Sequence, residues 1–491
     1  MSSVAISQAQ VVDGVHRSPR TGIKVVISGG GLGGLFATLE CWRKGHDVEL
    51  LEQNDNISII GDFLAIGPSA LSTLHHYPKM LEEYKKTAWN SLVWWCDSTG
   101  KKLVSEIIEW NRPDVAPHAA AKELPIVSFI KDRPQLMKMF EAQMKRLNIR
   151  IFYGRKVVSY EEDDLSGVAK VTTANGEVFT GDVVVAAEGI GTKSHTIVTG
   201  SPIPFVSSGY AILRGAFDPK LISPSSKGAK LLLKPGQTPE VCIYVGDNLH
   251  LIMLSTHEKI GVAFTHREDG CAKESWSDTV PSAVLANMIR ERTTWGGDIV
   301  DFVNQIPDNT LIDWKLTWRD PQPIWTSKGG RIVQLGDSAH AFLPSSANGA
   351  TQALEDGISL AECLKQGGKG NVAWATRVHA KLRYQRVSII QKLGIVIRNT
   401  MHHVDMSLLD EGKNPFEGAF HLGRWIWQHT PEAYAREQFK AALDHLQSGA
   451  PFENTNLPPG HMFEDWTVDD EMKKQVAGIP SDLMSNGDWS R

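Results

Sequence analysis

The sequence is poor in cysteine, has no long apolar run, and carries no large charge of one sign. Its five cysteines, Cys41, Cys96, Cys242, Cys271 and Cys363, are odd in number and scattered, and none forms a C-x-x-C pair. That argues against a disulfide framework and fits a reduced, cytoplasmic protein. No stretch reaches the ~18 consecutive apolar residues that a membrane-spanning helix needs. The net charge of −5 is mixed along the chain, which gives no electrostatic reason to expect nucleic acid. The opening segment, MSSVAISQAQVVDGVHRSPR, lacks a basic start followed by an apolar block, so residues 1–21 are expected to be a disordered tail and not a signal peptide. His402, His403 and Asp405 offer metal-ligand types, but adjacent helical histidines point apart and no fourth ligand is evident, so no metal is expected. There is no internal repeat and no low-complexity block. At 491 residues the chain has room for about three domains of ~150 residues each.

What is present begins with KVVIS, a buried-strand pattern at Lys24–Ser28, followed by GGGLGG, a helical stretch ending at Gly45, and a second strand, DVELLEQ. Gly29, Gly31 and Gly34 match G-x-G-x-x-G. In such a unit the first glycine permits a tight turn, the second lets backbone approach a pyrophosphate, and the third lets helix and strand pack closely. The helix start then offers unpaired N–H groups to phosphate. Glu52 ends the second strand about twenty residues on, where a carboxylate accepts hydrogen bonds from a ribose. At this point NAD and FAD are equally compatible.

Downstream, residues 69–86 and Pro134–Leu147 read as helices, SLVWWCDSTGKKL as a hairpin, and VAKVTTANGEVFTGDVVVAAEG as two strands around an Asn-Gly turn with a third, apolar strand. Consecutive Trp94 and Trp95 on a strand point to opposite faces. Residues 203–325 are β-rich, with AKLLLKPG, EVCIYVGD, LHLIMLST and KIGVAFTHRE expected as strands. A second strand–loop–helix unit follows, in which Ile332–Leu335 leads into GDSAHAFLPSSANGATQALEDG. Val372–Met401 has the pattern of one long helix, and the last forty residues are polar and Pro-rich.

The segments 182–194 (DVVVAAEGIGTKS) and 331–356, placed in this order after the glycine motif, resemble the signatures of the group A, single-component FAD-dependent monooxygenases related to salicylate and p-hydroxybenzoate hydroxylase. The similarity is closest to the fungal enzymes of secondary metabolism. It implies an α/β fold in which a three-layer, Rossmann-like FAD-binding domain of glutathione-reductase type carries an inserted β-sheet substrate domain and a helical C-terminal region. The corresponding boundaries are 22–90, 130–202 and 326–365 for the FAD domain, 91–129 and 203–325 for the substrate domain, and 366–491 for the helical region. One departure stands out. The middle signature usually reads D-G-x-x-S-x-x-R, whereas here it runs from Glu188-Gly189 to Thr192 and His195.

By this resemblance FAD is bound non-covalently through Gly29, Gly31, Gly34, Glu52, Ala65, Arg133, Asp337, Pro344, Gly349 and Ala350. The two cradles hold opposite ends of the one molecule. Arg214 is expected beside the flavin ring and Tyr244 in the substrate pocket, both as catalytic residues, with His340 a further candidate for deprotonating a phenol. NAD(P)H is the implied transient electron donor. The implied reaction inserts one atom of O2, through a C4a-hydroperoxyflavin, into a small aromatic substrate of phenolic, indolic or polyketide-like type. Hydroxylation heads the possibilities, with Baeyer–Villiger oxygenation or epoxidation on the same scaffold as the alternative. An oxidase, and a non-catalytic FAD-fold protein, complete the range. A monomer or homodimer is expected.

Overall fold

The computed structural model describes residues 8–490 except 59–60, 89–90, 98, 107–109, 111–130, 164, 274, 276–277, 410–412, 414, 417–421, 480 and 482. Residues 1–7 of the expected tail, and most of 91–129 beyond the hairpin, lie outside the described residues.

The tail expectation fails for residues 10–17, where β1 (Gln10–Val12) and β2 (Val15–Arg17) pair antiparallel. The turn is Asp13-Gly14, with φ of 52° and 79°. Two successive positive φ values are what a two-residue hairpin turn demands, and Asp-Gly is the sequence that tolerates them. Val15 is fully buried and Asp13 pairs with Lys79 and Arg146, so the hairpin is tied down.

β3 (Lys24–Ser28), α1 (Leu32–Arg43) and β4 (Asp47–Leu51) form the expected βαβ unit. β5 (Phe63–Leu64), α2 (Pro68–Leu71) and α3 (Pro78–Thr87) follow, the last two separated by a 3-10 turn at Ser72–His76. The single helix read over 69–86 is therefore broken, since Pro78 lacks the N–H a helix interior needs and starts the second piece at its first position. β6 (Leu92–Cys96) and β7 (Lys102–Glu106) are the hairpin. β8 (Lys131–Asp132) pairs with β5 and leads directly into α4 (Arg133–Arg146). β9 (Ile151–Phe152), the antiparallel strands β10 (Val157–Asp163), β11 (Val168–Thr173) and β12 (Val178–Gly181), and β13 (Val183–Ala186) come next. β13, β3, β4 and β9 join a later strand, β20 (Ile332–Gln334), in a five-stranded sheet of order β20-β13-β3-β4-β9, all parallel. β13 is apolar throughout and β3 is apolar between Lys24 and Ser28, as strands covered on both faces are.

After α5 (His195–Thr199), the long strand β14 (Val206–Phe217) enters an eight-stranded sheet with β15 (Glu240–Gly246), β16 (Leu249–Ser255), β17 (Ile260–Arg267), β18 (Thr279–Val280) and β19 (Leu311–Trp318). β6 and β7 extend it through a parallel pairing of β6 with β15. Two helices absent from the sequence reading, α6 (Ser282–Arg292) and α7 (Gly297–Val303), cover one face. The AKLLLKPG segment is not a strand. Gly228 abuts the backbone of Phe302 and donates its N–H to Asp301 at 2.8 Å, which captures the segment as a 3-10 turn against α7.

β20 (Ile332–Gln334) closes the parallel sheet and leads to α8 (Gly349–Gly367) and the long α9 (Val372–His402). The chain ends with α10 (Arg424–Trp427), α11 (Pro431–Ser448) and α12 (Val468–Val476). The main core joins α1, α8 and α9 to the inner face of the eight-stranded sheet through residues such as Val241, Ile243 and Val245. Among the described residues no helix is long and apolar enough to cross a membrane.

Candidate cofactor and substrate site

The glycine motif behaves as its spacing requires. Gly29 has φ of 108°, and a side chain there would lie 2.4 Å from Ala187 O. A Cβ on Gly34 would meet Gly29 O at 1.9 Å, so only glycine lets α1 close against its strand. Gly31 has nothing within 4 Å of its Cβ position, at the open mouth of α1 where the first helical N–H groups lack intrahelical partners. Glu52 is buried and accepts from Gly30 N at 2.8 Å and from Asn54 N at 2.9 Å. Its carboxylate therefore also fixes the glycine loop. Gly33 packs against Leu335 and Ala353, so the mouth of α1 meets the second cradle directly.

In that cradle Gly336 has φ of 59° and its N–H donates to Asp356. The Asp337 side chain is solvent-accessible yet sunk among protein atoms; the surface it shows belongs to a recess. Desolvation raises its pKa, opposed by the charges of His340 and Arg319. Pro344–Ser346 forms a 3-10 turn, Ala347 takes a left-handed φ of 52°, and α8 begins at Gly349 with no side-chain cap from Asn348. The first N–H groups of a nineteen-residue helix are thus presented to whatever lies before Gly349 and Ala350. Gly67 N donates to Thr351 Oγ1 at 2.8 Å, bringing Ala65–Gly67 alongside.

The middle signature serves as a bolt between the cradles. Ser338 Oγ accepts from Gly189 N at 3.0 Å, and His195 Nε2 lies 3.1 Å from Ser338 O, to which it donates. Burial, and then Arg319, lower the His195 pKa, so the ring is neutral and suited to this bond. Glu188 is raised by burial and receives Thr192 Oγ1, Ser28 Oγ and Tyr160 OH. Arg319, which the sequence reading did not single out, donates to Ile190 O at 3.0 Å and stacks on Phe205. It brings a guanidinium to a signature whose own closing arginine is His195.

Arg214 lies on the inner face of β14, in a two-pronged ion pair with Asp62 that includes Nε–Oδ2 at 2.7 Å. Burial pulls its pKa down, Asp62 outweighs this, and the net shift is upward. Arg133 N donates to Asp62 O at 2.8 Å, and the Arg133 side chain covers Gly61. Arg133 and Arg214 thus both engage Asp62, the first at its carbonyl and the second at its carboxylate. Tyr244 does not join them. β15 alternates, with Val241, Ile243 and Val245 facing the main core, while Cys242 and Tyr244 face α6 and α7. Tyr244 is 1% exposed, packs on Trp295, and its pKa is driven well above 10 by desolvation. The expectation that it faces the substrate is corrected by strand parity. Trp95, on the inner face, stacks on Phe416 with 4.4 Å between ring centroids.

A narrow cleft opens beside the second cradle. Ala65, Ile66 and Gly67 form one wall, with Ala347 and Asn348 next to them. Trp110 and the C-terminal residues Leu422, Ile426 and Trp427 form the other. None of the C-terminal lining was anticipated. The segment is held by Arg386, fully buried, which donates to Trp425 O at 2.7 Å and Ile426 O at 2.8 Å while pairing with Glu355 of α8. Arg383 ties the same helix through Asp356 at 2.8 Å. Burial raises the Glu355 pKa, but the two guanidiniums hold it well below the usual carboxylate range.

No family model matches the chain. The FAD-dependent monooxygenase fsr3 of Gibberella fujikuroi is 38% identical over 481 residues, covering 97% of this chain and 91% of that protein. The chain belongs to the FAD-dependent monooxygenases. The solved structure of CtdE in complex with FAD and its substrate 4 aligns with the monooxygenase at a TM-score of 0.76 and 25% identity, covering 87% of this chain and 100% of that one. A salicylate hydroxylase substrate complex aligns at a TM-score of 0.65 and 19% identity, covering 85% and 98%, and shows the shared fold. FAD is the cofactor of this monooxygenase, and the residues present fit it. The open Gly31 position, the recessed Asp337 and the uncapped start of α8 each leave room or charge where a dinucleotide needs it.

Proposed function

We propose that the monooxygenase takes electrons from NAD(P)H and places one oxygen atom of O2 on a flat aromatic natural product, by hydroxylation. The observation that supports this is the second cradle, where the uncapped start of α8 lies beside the narrow cleft lined by Ala65–Gly67, Ala347, Asn348 and Leu422, Ile426 and Trp427. Bound FAD would supply the electron storage and oxygen activation. Gly29, Gly31, Gly34 and Glu52 would hold its adenosine side. Asp337, Arg133, and the stretch from Pro344 to Ala350 would hold the remainder, with the positive end of α8 favouring negative charge near Gly349. The chain's other tasks are to exclude water and orient the substrate. Arg214 would act from its Asp62 pair on the inner face of β14. We place the enzyme in the cytoplasm as a monomer or homodimer.

The test is a screen of phenolic, indolic and polyketide-like aromatics for accelerated NADH or NADPH consumption, with mass spectrometry under isotopically heavy O2. One labelled oxygen per product supports the reading. Nucleotide or substrate oxidation without label would make the protein an oxidase, and label within a new ester or epoxide would favour those reactions over hydroxylation.

A further inference from the structure

We infer that His340 and Asp356 are positioning residues for the cofactor: as a buried pair they fasten both ends of the turn Gly336–His340, and the turn aims the Asp337 carboxylate at FAD. This deepens the cofactor site proposed above and rests on Asp337 meeting FAD.

The turn is short and closed on itself. Ala339 N and His340 N donate to Gly336 O at 2.8 and 2.9 Å, and Gly336 takes its left-handed φ of 59°. One carboxylate oxygen then holds both ends. Asp356 Oδ2 receives Gly336 N at 3.0 Å and His340 Nε2 at 2.6 Å. The other oxygen, Oδ1, receives Arg383 Nε from α9 at 2.8 Å, so the carboxylate cannot rotate without breaking a second bond. Burial alone would raise the Asp356 pKa, but His340 and Arg383 beside it outweigh burial and keep it ionised. An ionised carboxylate only accepts, so His340 Nε2 is the donor. Charge-assisted bonds of this kind are roughly twice as strong as neutral ones.

On its far side the turn is fastened through Ser338 to Gly189 and His195. Between these two anchorages stands Asp337. Gly336, Ser338, Ala339 and His340 are buried, and Asp337 alone in the turn is exposed, into the recess. Its carboxylate receives no hydrogen bond from any described residue. A carboxylate on backbone fixed at both sides meets a ligand with little further loss of freedom, which is what preorganisation contributes to affinity.

The same contacts remove His340 from direct chemistry. The residue is 2% exposed, Nε2 is committed to Asp356, and Nδ1 is buried without a hydrogen bond. The rings of Trp325 and Phe342 pack against it, with centroids 5.2 and 5.3 Å away. A substrate phenol reaches neither nitrogen, so the base that the family resemblance suggested becomes a positioning group. Only Nε2 carries the role, and this makes it testable by where a replacement side chain places its nitrogen.

The test dilutes the FAD-loaded protein and reads the fluorescence of released flavin, which gives a dissociation constant without turnover. Gln places its amide nitrogen near the Nε2 position of histidine, Asn places it near Nδ1, and Leu has none. His340→Asn and His340→Leu should weaken FAD binding about tenfold, the ratio one charge-assisted hydrogen bond supports, while His340→Gln should stay within about threefold of wild type. In an Asp337→Asn background, His340→Leu should add less than about twofold, because groups that act through one another are not additive. An equal loss in both backgrounds would mark a general structural effect and overturn the inference. So would wild-type affinity in His340→Leu, or a His340→Gln as weak as His340→Asn. If His340→Leu folds poorly, the contrast between the Gln and Asn variants decides. Asp337→Asn that binds FAD like wild type would fault the placement of Asp337 and the inference with it. A weakened Asp337→Asn with additive His340 effects would fault the inference alone.

Discussion

His250 Nδ1 and His402 Nε2 stand 2.9 Å apart, on β16 and at the end of α9, with both rings buried where the substrate sheet meets the long helix. One neutral ring donates to the other. Desolvation and the nearby Arg398 charge lower the His250 pKa to about 3, and His402 is lowered further by burial, His250 and Arg398. Both folded-state values lie below the ordinary value of about 6.5. The stability these neutral rings support is therefore complete above about pH 6.5. It falls as pH drops, because the unfolded chain takes up the protons first. Each histidine contributes a loss of about 1.4 kcal/mol per pH unit below that point. Thermal melts at pH 7, 6 and 5 should show a steep decline in the wild type and a shallower one in His402→Gln. Parallel declines would mean the acid-sensitive groups lie elsewhere.

Asp337→Asn should weaken FAD binding roughly ten- to a hundredfold, the scale of a lost charge-assisted hydrogen bond, with little change in melting temperature. Glu52→Ala should behave differently. Its carboxylate already receives Gly30 N and Asn54, so removal also leaves a buried N–H unpaired and lowers the melting temperature of the FAD-free protein. Flavin titration and melts of both variants separate the two roles. Identical titration curves for Asp337→Asn and wild type would remove Asp337 from the cofactor site.

Arg386→Met should cost about 3–5 kcal/mol of stability, since it removes one of the two guanidiniums that neutralise the buried Glu355 and leaves two buried carbonyls without their donor. It should also detach Trp425 and Ile426 from α8. Arg386→Lys should rescue little, because a single ammonium cannot span Glu355 and two carbonyls as the guanidinium fork does. Denaturant melts of both variants give the comparison.

The cradles were legible because each glycine answers a local constraint that sequence spacing records: a positive φ at Gly29, a van der Waals limit at Gly34. The Asp13-Gly14 hairpin was equally local, and its signal was present but passed over. Partners far apart in the chain leave no such trace. Glu355 and Arg386 are 31 residues apart on different helices, and nothing near Trp427 announces that it lines a cleft with Ala65 and Ala347. Tyr244 failed for a related reason. Strand alternation guarantees that neighbours face opposite ways, but only the helices α6 and α7, unseen in the sequence, decide which way is outward.

That correction sharpens the expectation for coupling between nucleotide consumption and product. Arg214 lies on the opposite face of the sheet and pairs with Asp62, whereas Tyr244 is sealed against α6 and α7. Arg214→Ala would leave Asp62 buried without its guanidinium partner and shift β5 at Phe63, whose carbonyl Arg214 also binds at 3.2 Å. A displacement of about 1 Å in a reacting group can cost on the order of a hundredfold in rate. Reduced nucleotide should still be consumed, hydrogen peroxide should rise, and product per nucleotide should fall. Tyr244→Phe should leave product per nucleotide unchanged, because the phenol touches neither cradle nor cleft. Measuring nucleotide, peroxide and product together in both variants checks the assignment. A coupling loss in Tyr244→Phe equal to that in Arg214→Ala would show that the outer face of the sheet participates in the reaction after all.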